Sequence, residues 1–209
     1  MCREPTAGRM TKESGVGEGL RELHERLRGC RECPLGDIGT QVVGGEGRGR
    51  LMLVGEAPGD HEDIQGRPFV GPAGRLLDSA LERLGWARET VYLTNAVKHF
   101  KFELRGKRRI HKTPAQREIA ACHHWLEEEI EMLRPKAIVA LGATAAASLL
   151  DRKVAVTRER GNWLERSDGI PVLITLHPSA LLRLRGVERE EAIARWIEDL
   201  RRGGEPPQG

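Results

Sequence analysis

Long apolar runs are missing from this sequence. None approaches the roughly 20 residues that a membrane-spanning helix needs. The first 19 residues, MCREPTAGRMTKESGVGEG, contain no apolar stretch of the kind found in secretion signals. These absences argue against a membrane protein and against an exported one. We therefore expect a cytoplasmic protein that makes no membrane contact.

The chain is also short for a two-domain protein. It has 209 residues, of which 39% are hydrophobic, as is ordinary for a soluble protein with one core. Both ends look like tails that lack the apolar residues of a core. We expect a disordered leader at residues 1–17, a single domain at 18–202 and a disordered tail at 203–209.

A strong net charge is absent as well. The formal charge of +3 permits an anionic partner without requiring one, because basic and acidic residues are nearly balanced. The local distribution is uneven, since residues 105–112 contain five cations and no acid. These cations are Arg105, Lys107, Arg108, Arg109 and Lys112. Most such runs are solvated faces, but a basic run strengthens the hypothesis of nucleic-acid binding.

Cysteine is scarce, with four in the chain. The turn CREC at 30–33 has two thiols in the spacing that often begins a metal site, and in a reducing compartment this spacing favours metal or redox work over a disulfide. Two more ligands are needed, and the candidates are Cys122, His99, His123 and His124. Cys122 also fits the inner face of its helix as a small core residue. Three thiolates and one imidazole suit zinc as well as an iron–sulfur cluster.

Four continuous apolar runs predict strands that are buried on both faces. They are RLMLVG (50–55), VYLTNAV (91–97), KAIVALG (136–142) and PVLITL (171–176). Segments with helical spacing of apolar residues lie between and after them, including 76–84, 119–133 and 188–202. This alternation predicts an α/β protein of three layers, α/β/α, with a central four-stranded parallel sheet.

Unusual polar residues follow three of the predicted strands. They are the segment 55–59 (GEAPG), Asn95, and the segment 177–179 (HPS). Ligands of parallel α/β sheets bind beyond the carboxyl ends of the strands. The three groups therefore predict one shared site at that edge.

The longest motif in the chain is GEAPGDHEDIQGRPFVGPAGRLL at 55–77, and it resembles the first motif of the family-4 uracil-DNA glycosylases. TNAVKHFKF (94–102) and HPSALL (177–182) resemble the second and third motifs of that family, so the likeness covers nearly the whole predicted domain. The segment GKRRIHKTP (106–114) resembles the loop of the UdgX branch of this superfamily, in which a histidine attacks the sugar and stays bonded to it.

Two positions bear on the choice of branch. UdgX proteins have glutamine where this chain has Ala57, and GEAPG is the ordinary family-4 form. Conversely, His99 stands where family 4 has cysteine, a substitution that UdgX proteins share. The resemblance then implies a structural [4Fe–4S] cluster held by Cys30, Cys33, His99 and Cys122, with zinc as the alternative cofactor.

The resemblance also implies roles in recognising a uracil that has left the base stack. Phe69 would stack on the base, and Asn95 would read O4 and N3–H, because an amide offers both a donor and an acceptor. His177 would donate a hydrogen bond to O2, helped by backbone N–H groups near Gly59 and Ala57. Without the resemblance, Phe69 would be a core residue and His177 a packing residue at a strand end.

Contacts with the rest of the DNA follow from the same resemblance. Leu181 would fill the space that the base vacates, although it also fits a core position. Ser179 would bind DNA beside it. The basic residues Lys107, Arg108, Arg109 and Lys112 would contact phosphates.

His111 lies among these cations and carries the main question. As a neutral imidazole it would attack C1′ of the sugar, with Glu56 holding its tautomer and stabilising the charge that forms. We therefore expect a single-turnover enzyme that excises uracil from DNA and becomes covalently linked to the abasic sugar. The alternatives are a conventional family-4 enzyme with water as nucleophile, and a non-catalytic nucleic-acid-binding module. Uracil-containing DNA, preferably single-stranded, is the expected partner of a monomeric protein.

Overall fold

A computed structural model describes residues 12–207 of the chain. Its central sheet has five strands in the order β2-β1-β5-β7-β6. The strands are β1 (Leu51–Gly55), β2 (Tyr92–Asn95), β5 (Ala137–Leu141), β6 (Trp163–Glu165) and β7 (Pro171–Thr175). The four predicted strands are present and parallel, but the prediction of four strands in all was wrong. The three-residue strand β6 pairs antiparallel with β7 at the edge and is too short for a sequence pattern.

Helices cover both faces of the sheet, as the predicted α/β/α layers require. Among the described residues they are α1 (Lys12–Arg28), α2 (Leu35–Ile38), α3 (Asp60–Gln65), α4 (Pro72–Arg83), α5 (Gln116–Leu133), α6 (Ala143–Leu150), α7 (Val156–Glu159), α8 (Pro178–Leu181) and α9 (Gly186–Gly203). A short 3-10 turn, Arg88–Thr90, precedes β2.

The two faces of the sheet form two separate cores, because successive strand residues point to opposite sides. On one face Val54 and Ile138 pack with side chains of α5 and α6. On the other, Leu53 and Val139 pack with side chains of α4, α8 and α9. This double burial explains why the strands read as continuous apolar runs.

The boundaries differ from the predicted ones at both ends. Helix α1 begins at Lys12, inside the segment predicted as a leader, and residues 1–11 lie outside the described residues. Apolar residues of α1 such as Leu23 and Leu27 are buried, so the helix belongs to the folded domain. Helix α9 ends at Gly203, one residue into the predicted tail.

The basic segment predicted as a loop is largely a β-hairpin. Strands β3 (Phe102–Arg105) and β4 (Arg108–His111) pair antiparallel, with Phe102 opposite His111. Gly106 at the turn has φ +60, a left-handed conformation that glycine adopts without a steric penalty. The hairpin stands apart from the central sheet. None of the described helices is long and apolar enough to cross a membrane.

Candidate active site

The carboxyl ends of the parallel strands bring the predicted polar groups together. Gly55 at the end of β1 pairs with Asn95 at the end of β2, and Leu141 of β5 pairs with Thr175 of β7. The residues that follow these ends therefore share one edge of the sheet. Glu56 comes directly after β1 on this edge, as the sequence predicted.

Asn95 and Phe69 meet over Gly55. A Cβ atom at Gly55 would collide with Asn95 Oδ1 and lie 2.6 Å from Phe69 Cζ, so only glycine permits this arrangement. Each of the two side chains is 3% exposed, and Phe69 holds a left-handed backbone with φ +52. The Asn95 amide is therefore buried beside the Phe69 ring at the end of β2.

His177 is held as a neutral imidazole with a defined tautomer. Its Nδ1 accepts a hydrogen bond from the backbone N–H of Ser179 at 3.2 Å and lies 2.7 Å from the Ser179 hydroxyl. Burial, with the nearby His111 and Arg183, lowers the pKa of His177 to about 4. The proton of the neutral ring is therefore on Nε2, where it can be donated to a ligand. The ring centroid lies 6.2 Å from that of Phe69.

Glu56 stands between His111 and a residue that the sequence analysis missed. Thr144, at the start of α6, donates its hydroxyl to Glu56 Oε2 at 2.5 Å. The other oxygen, Oε1, lies 3.9 Å from His111 Nε2. Burial and Arg183 lower the pKa of His111, opposed in part by Glu56, so the imidazole is neutral at pH 7. Thr144 is a polar residue close after the end of β5, and Asn95 was predicted from the same kind of position. The surrounding sequence, Gly-Ala-Thr, is too common to have marked it as a site residue.

Arg109 binds two carboxylates of the protein itself, so the predicted phosphate contact would require these bonds to break. Its guanidinium donates to Asp63 Oδ2 at 2.5 Å and forms an ion pair with Asp60 Oδ1 at 2.6 Å. It also lies over the rings of Phe100 and Phe102, at 5.3 and 5.2 Å from their centroids. Because its donors and its planar face are used inside the protein, Arg109 fastens the hairpin to α3.

The other cations of the hairpin differ in availability. Lys107 and Arg108 are exposed and form no ion pair with any described residue, so both stay predicted phosphate contacts. Lys112 is half exposed and lies 3.1 Å from Glu103 on the opposite strand. The Lys112 ammonium would have to leave that carboxylate to contact DNA.

Leu181 lies in the core of this structure, and its predicted role as a wedge stays a prediction. Its side chain is 0% exposed and packs with residues of α4 and α9. The neighbouring Leu182 is half-buried and Arg183 is exposed. The HPSALL segment is a short helix, and the sequence alone did not reveal which leucine faces inward.

The loop after β1 is also arranged differently from the prediction. The backbone N–H of Gly59 donates to Glu62 Oε2 at 3.2 Å and is not free to bind a base. Glu62 also accepts from Val70 and Gly71, at 3.0 and 2.8 Å, and so ties this loop to the segment that carries Phe69. The half-buried Ala57 packs against Cys33, Val97 and Cys122.

The four predicted metal ligands are buried, while the competing histidines are not. Cys30, Cys33 and Cys122 are free thiols with at most 8% exposure, and His99 is 2% exposed. Cys33 and Cys122 pack in one cluster, and burial raises the pKa of Cys122 to about 11. His99 Nδ1 is buried without a hydrogen-bond partner among the described residues. An orphaned buried imidazole and three buried thiols are the donor types that a soft metal centre uses.

His123 and His124 are paired with glutamates on the outer side of α5. His123 lies 3.8 Å from Glu127, and His124 lies 2.8 Å from Glu32. In the described part of the chain, no three His, Cys, Asp or Glu side chains converge closely enough to hold a single metal ion. This finding gives no support to zinc, which needs four ligands around one point.

Comparisons with known protein families and with individual proteins agree on one family. The pattern that defines the Uracil DNA glycosylase superfamily matches residues 43–201. A Type-4 uracil-DNA glycosylase of Thermotoga maritima is 44% identical over 179 residues, which cover 84% of this chain and 90% of that protein. The enzyme of the same name from Pyrobaculum aerophilum is 40% identical over 179 residues, covering 80% and 88%. That of Archaeoglobus fulgidus is 34% identical over 197 residues, covering 90% and 93%.

Proposed function

Because this chain belongs to the uracil DNA glycosylase superfamily, we propose that it removes uracil from DNA by cleaving the bond between the base and the sugar. The observation that carries the proposal is the group formed by Asn95, Phe69 and His177 at the carboxyl edge of the sheet. It offers a buried amide, an aromatic ring beside it and a neutral imidazole whose Nδ1 is already bonded to the Ser179 N–H.

Selectivity for uracil would come from the Asn95 amide. Its oxygen can accept from N3–H of uracil and its nitrogen can donate to O4, whereas cytosine reverses both groups. A site built for one pattern rejects the other strongly, because buried polar groups are then left unpaired. Phe69 would support the flipped base through its ring, and base stacking contributes roughly 1–3 kcal/mol.

His177 would stabilise the negative charge that develops on the departing base. A donor fixed in advance acts in this way without reorganising during the reaction. Its low pKa keeps the ring neutral at working pH, with the proton on Nε2. We expect His177→Ala to slow excision by roughly 10²–10³-fold, the usual cost of losing one such donor.

The cysteines and His99 would hold the cofactor. Cys30, Cys33, Cys122 and His99 supply the thiolates and the imidazole of a [4Fe–4S] cluster, which would stiffen the fold beside the site. Purified protein should contain iron and inorganic sulfide and show the visible absorption of such clusters. Zinc in place of iron would contradict this assignment.

The fate of the sugar has two candidates. The names of the relatives favour the conventional reaction, in which water near Glu56 attacks the oxocarbenium-like sugar and the protein turns over. Capture by His111 is favoured by a different observation. The neutral imidazole stands at the end of β4, 3.9 Å from the Glu56 carboxylate, on a hairpin fastened by Arg109. A non-catalytic binding module has no comparable support.

One experiment tests excision and separates the two candidates. The protein is incubated with an end-labelled oligonucleotide that contains one uracil, and the samples are run on a denaturing gel after heating in SDS or after alkali. Alkali-dependent strand breakage establishes excision, and a uracil-dependent band of lower mobility in SDS establishes capture. The controls are thymine DNA, His111→Ser, and His123→Ser as a matched histidine on the outer side of α5.

Three outcomes are then distinct. Strand breakage without the shifted band would exclude capture, so attack by water would be the remaining candidate. A shifted band that persists with His111→Ser would exclude His111 as the linking residue. Neither breakage nor a shift would refute the proposed activity. Repeating the assay with single- and double-stranded DNA tests the predicted strand preference, while the monomeric state and cytoplasmic location stay predictions.

A further inference from the structure

A buried ion pair contacts the backbone of Asn95, one of the three residues that are proposed to bind the base. Lys98 and Glu129 are joined at 2.8 Å, and their side chains are 0% and 1% exposed. Lys98 follows β2 by three residues, and Glu129 is on α5. Neither residue has a role in the chemistry described above.

Every charged atom of this pair has partners. The Lys98 ammonium donates to Glu129 Oε2 at 2.8 Å, to the Thr94 hydroxyl at 2.7 Å and to the backbone carbonyl of Asn95 at 2.9 Å. Glu129 also accepts from the Thr94 hydroxyl at 2.8 Å and from the backbone N–H of Gly45 at 3.1 Å. Thr94 and Asn95 are the last two residues of β2.

Stability alone is a weak reason for such a pair. Removing two charges from water costs several kcal/mol per ion, and apolar residues of the same volume often stabilise a fold as well or better. A buried ion pair is better explained if it holds the protein in one conformation. Here the Lys98 ammonium bonds one specific backbone group, the carbonyl of Asn95.

The Asn95 carbonyl lies at the outer edge of β2, where an irregular segment and not a strand runs beside it. Successive strand residues direct their backbone groups to alternate sides. Leu93 exchanges both of its backbone hydrogen bonds with Glu46 of that segment, beyond the outer edge of β2. Asn95, two residues on, faces the same side, but the contact with Glu46 is an isolated bridge, and the segment next bonds this edge through the Val43 N–H and the backbone carbonyl of Lys98 at 2.8 Å. The Asn95 carbonyl, between these two contacts, receives a hydrogen bond from the Lys98 ammonium.

We propose that Lys98 is a positioning residue for base recognition: its ammonium, whose charge Glu129 balances, fixes the Asn95 peptide so that the amide meets the base edge. This inference rests on the proposed reading of uracil by Asn95. The carbonyl carbon and the Cβ atom of Asn95 are bonded to the same Cα atom. A shift of the backbone at this peptide therefore displaces the side-chain amide as well. Displacement of a recognition group by about 1 Å can cost 10²-fold in rate.

The test compares two changes that break the same pair. Lys98→Met keeps an unbranched apolar chain of similar length but removes the donor to the Asn95 carbonyl. Glu129→Gln removes the opposite charge but leaves that donor in place. Single-turnover excision is measured with protein in excess over uracil DNA, together with its inhibition by free uracil. Neither the rate constant at saturation nor the inhibition constant depends on the fraction of folded protein.

We expect Lys98→Met to lower the rate constant by roughly 10²-fold and to weaken inhibition by free uracil, whereas Glu129→Gln causes a much smaller loss. The double variant Lys98→Met/Glu129→Gln avoids an unpaired buried carboxylate, so it tests the same point if Lys98→Met folds poorly. It should show the loss seen with Lys98→Met. Thermal melting verifies that each variant is folded.

A partly buried ion pair at the opposite, amino-terminal edge of the parallel strands provides the control. Arg166 is 8% exposed and bonds Glu127 through both terminal nitrogens, at 3.0 and 2.7 Å. Arg166→Met/Glu127→Gln should lower the melting temperature without changing inhibition by free uracil. If Lys98→Met behaves like this control, or if Glu129→Gln and Lys98→Met lose equal activity, Lys98 is structural and the inference is wrong. If the parent protein excises no uracil, the proposed function itself fails.

Discussion

Arg109→Leu is the change that best separates the anchoring of the hairpin from DNA contact. Leucine retains apolar packing over Phe100 and Phe102 but removes the donor to Asp63, whose side chain is 0% exposed. Of the two carboxylate oxygens of Asp63, Oδ1 still accepts a hydrogen bond from the backbone N–H of Thr40 at 2.9 Å, and only Oδ2 loses its partner. A hydrogen bond to a charged group contributes about 1.5–3 kcal/mol. We therefore expect the docked hairpin to lose about 2–3 kcal/mol relative to the detached one.

Hydrogen exchange measures this difference directly, because local opening exposes the amides of β3 and β4. With a factor of ten for every 1.4 kcal/mol, their exchange should accelerate by about 30- to 140-fold, while amides of the central sheet are unaffected. If His111 captures the sugar, the captured fraction of the excised product should fall as well.

Arg108→Leu is the matched control, since Arg108 is exposed on the same strand. Losing one phosphate contact lowers the salt slope of DNA binding by about 0.9. That decrease is expected for Arg108→Leu and not for Arg109→Leu. A decrease with Arg109→Leu, without faster exchange in the hairpin, would refute the anchoring role and restore the phosphate contact.

Three further changes test other parts of the site. Thr144→Val removes the donor to Glu56 and should slow the step that follows base release more than Thr144→Ser does; equal rates for the two variants would exclude the hydroxyl. The pKa of His177 lies near 4, below its ordinary 6.5, so the unfolded chain takes up this proton first as the pH falls. Stability should therefore be full above pH 6.5 and decline toward pH 4, and His177→Gln should flatten that decline in urea titrations; an unchanged slope would contradict the assignment. Gly55→Ala should abolish uracil excision, because its methyl group would displace Asn95, and near-parental activity would refute the contact.

The sequence predicted the main features of the fold because those features have strong local signals. Four strands buried on both faces read as apolar runs, and the polar residues after them identified the edge that carries Asn95 and His177. The antiparallel strand β6 has three residues and half-buried or exposed side chains, so it has no comparable pattern.

The features of the site that the sequence did not predict have a different origin. Charge alone cannot tell a cation that meets phosphate from one that meets the protein's own carboxylates, so the contacts of Arg109 with Asp63 and Asp60 could not be predicted. Leu181 ends a helix of four residues and Leu182 follows it, so the segment is too short for periodicity to tell which leucine points inward. Thr144 and Glu56 are 88 positions apart in the sequence, so their hydrogen bond becomes visible only in the folded structure.

The hairpin has a consequence for how this chain can evolve. It contributes no strand to the central sheet and is inserted between β2 and α5, so it can lengthen, shrink or disappear without altering the order of the sheet. Its attachment depends on Arg109 and two aspartates of α3. If His111 captures the sugar, a single deletion that removes the hairpin would end capture and leave the central sheet and the groups at its carboxyl edge in place.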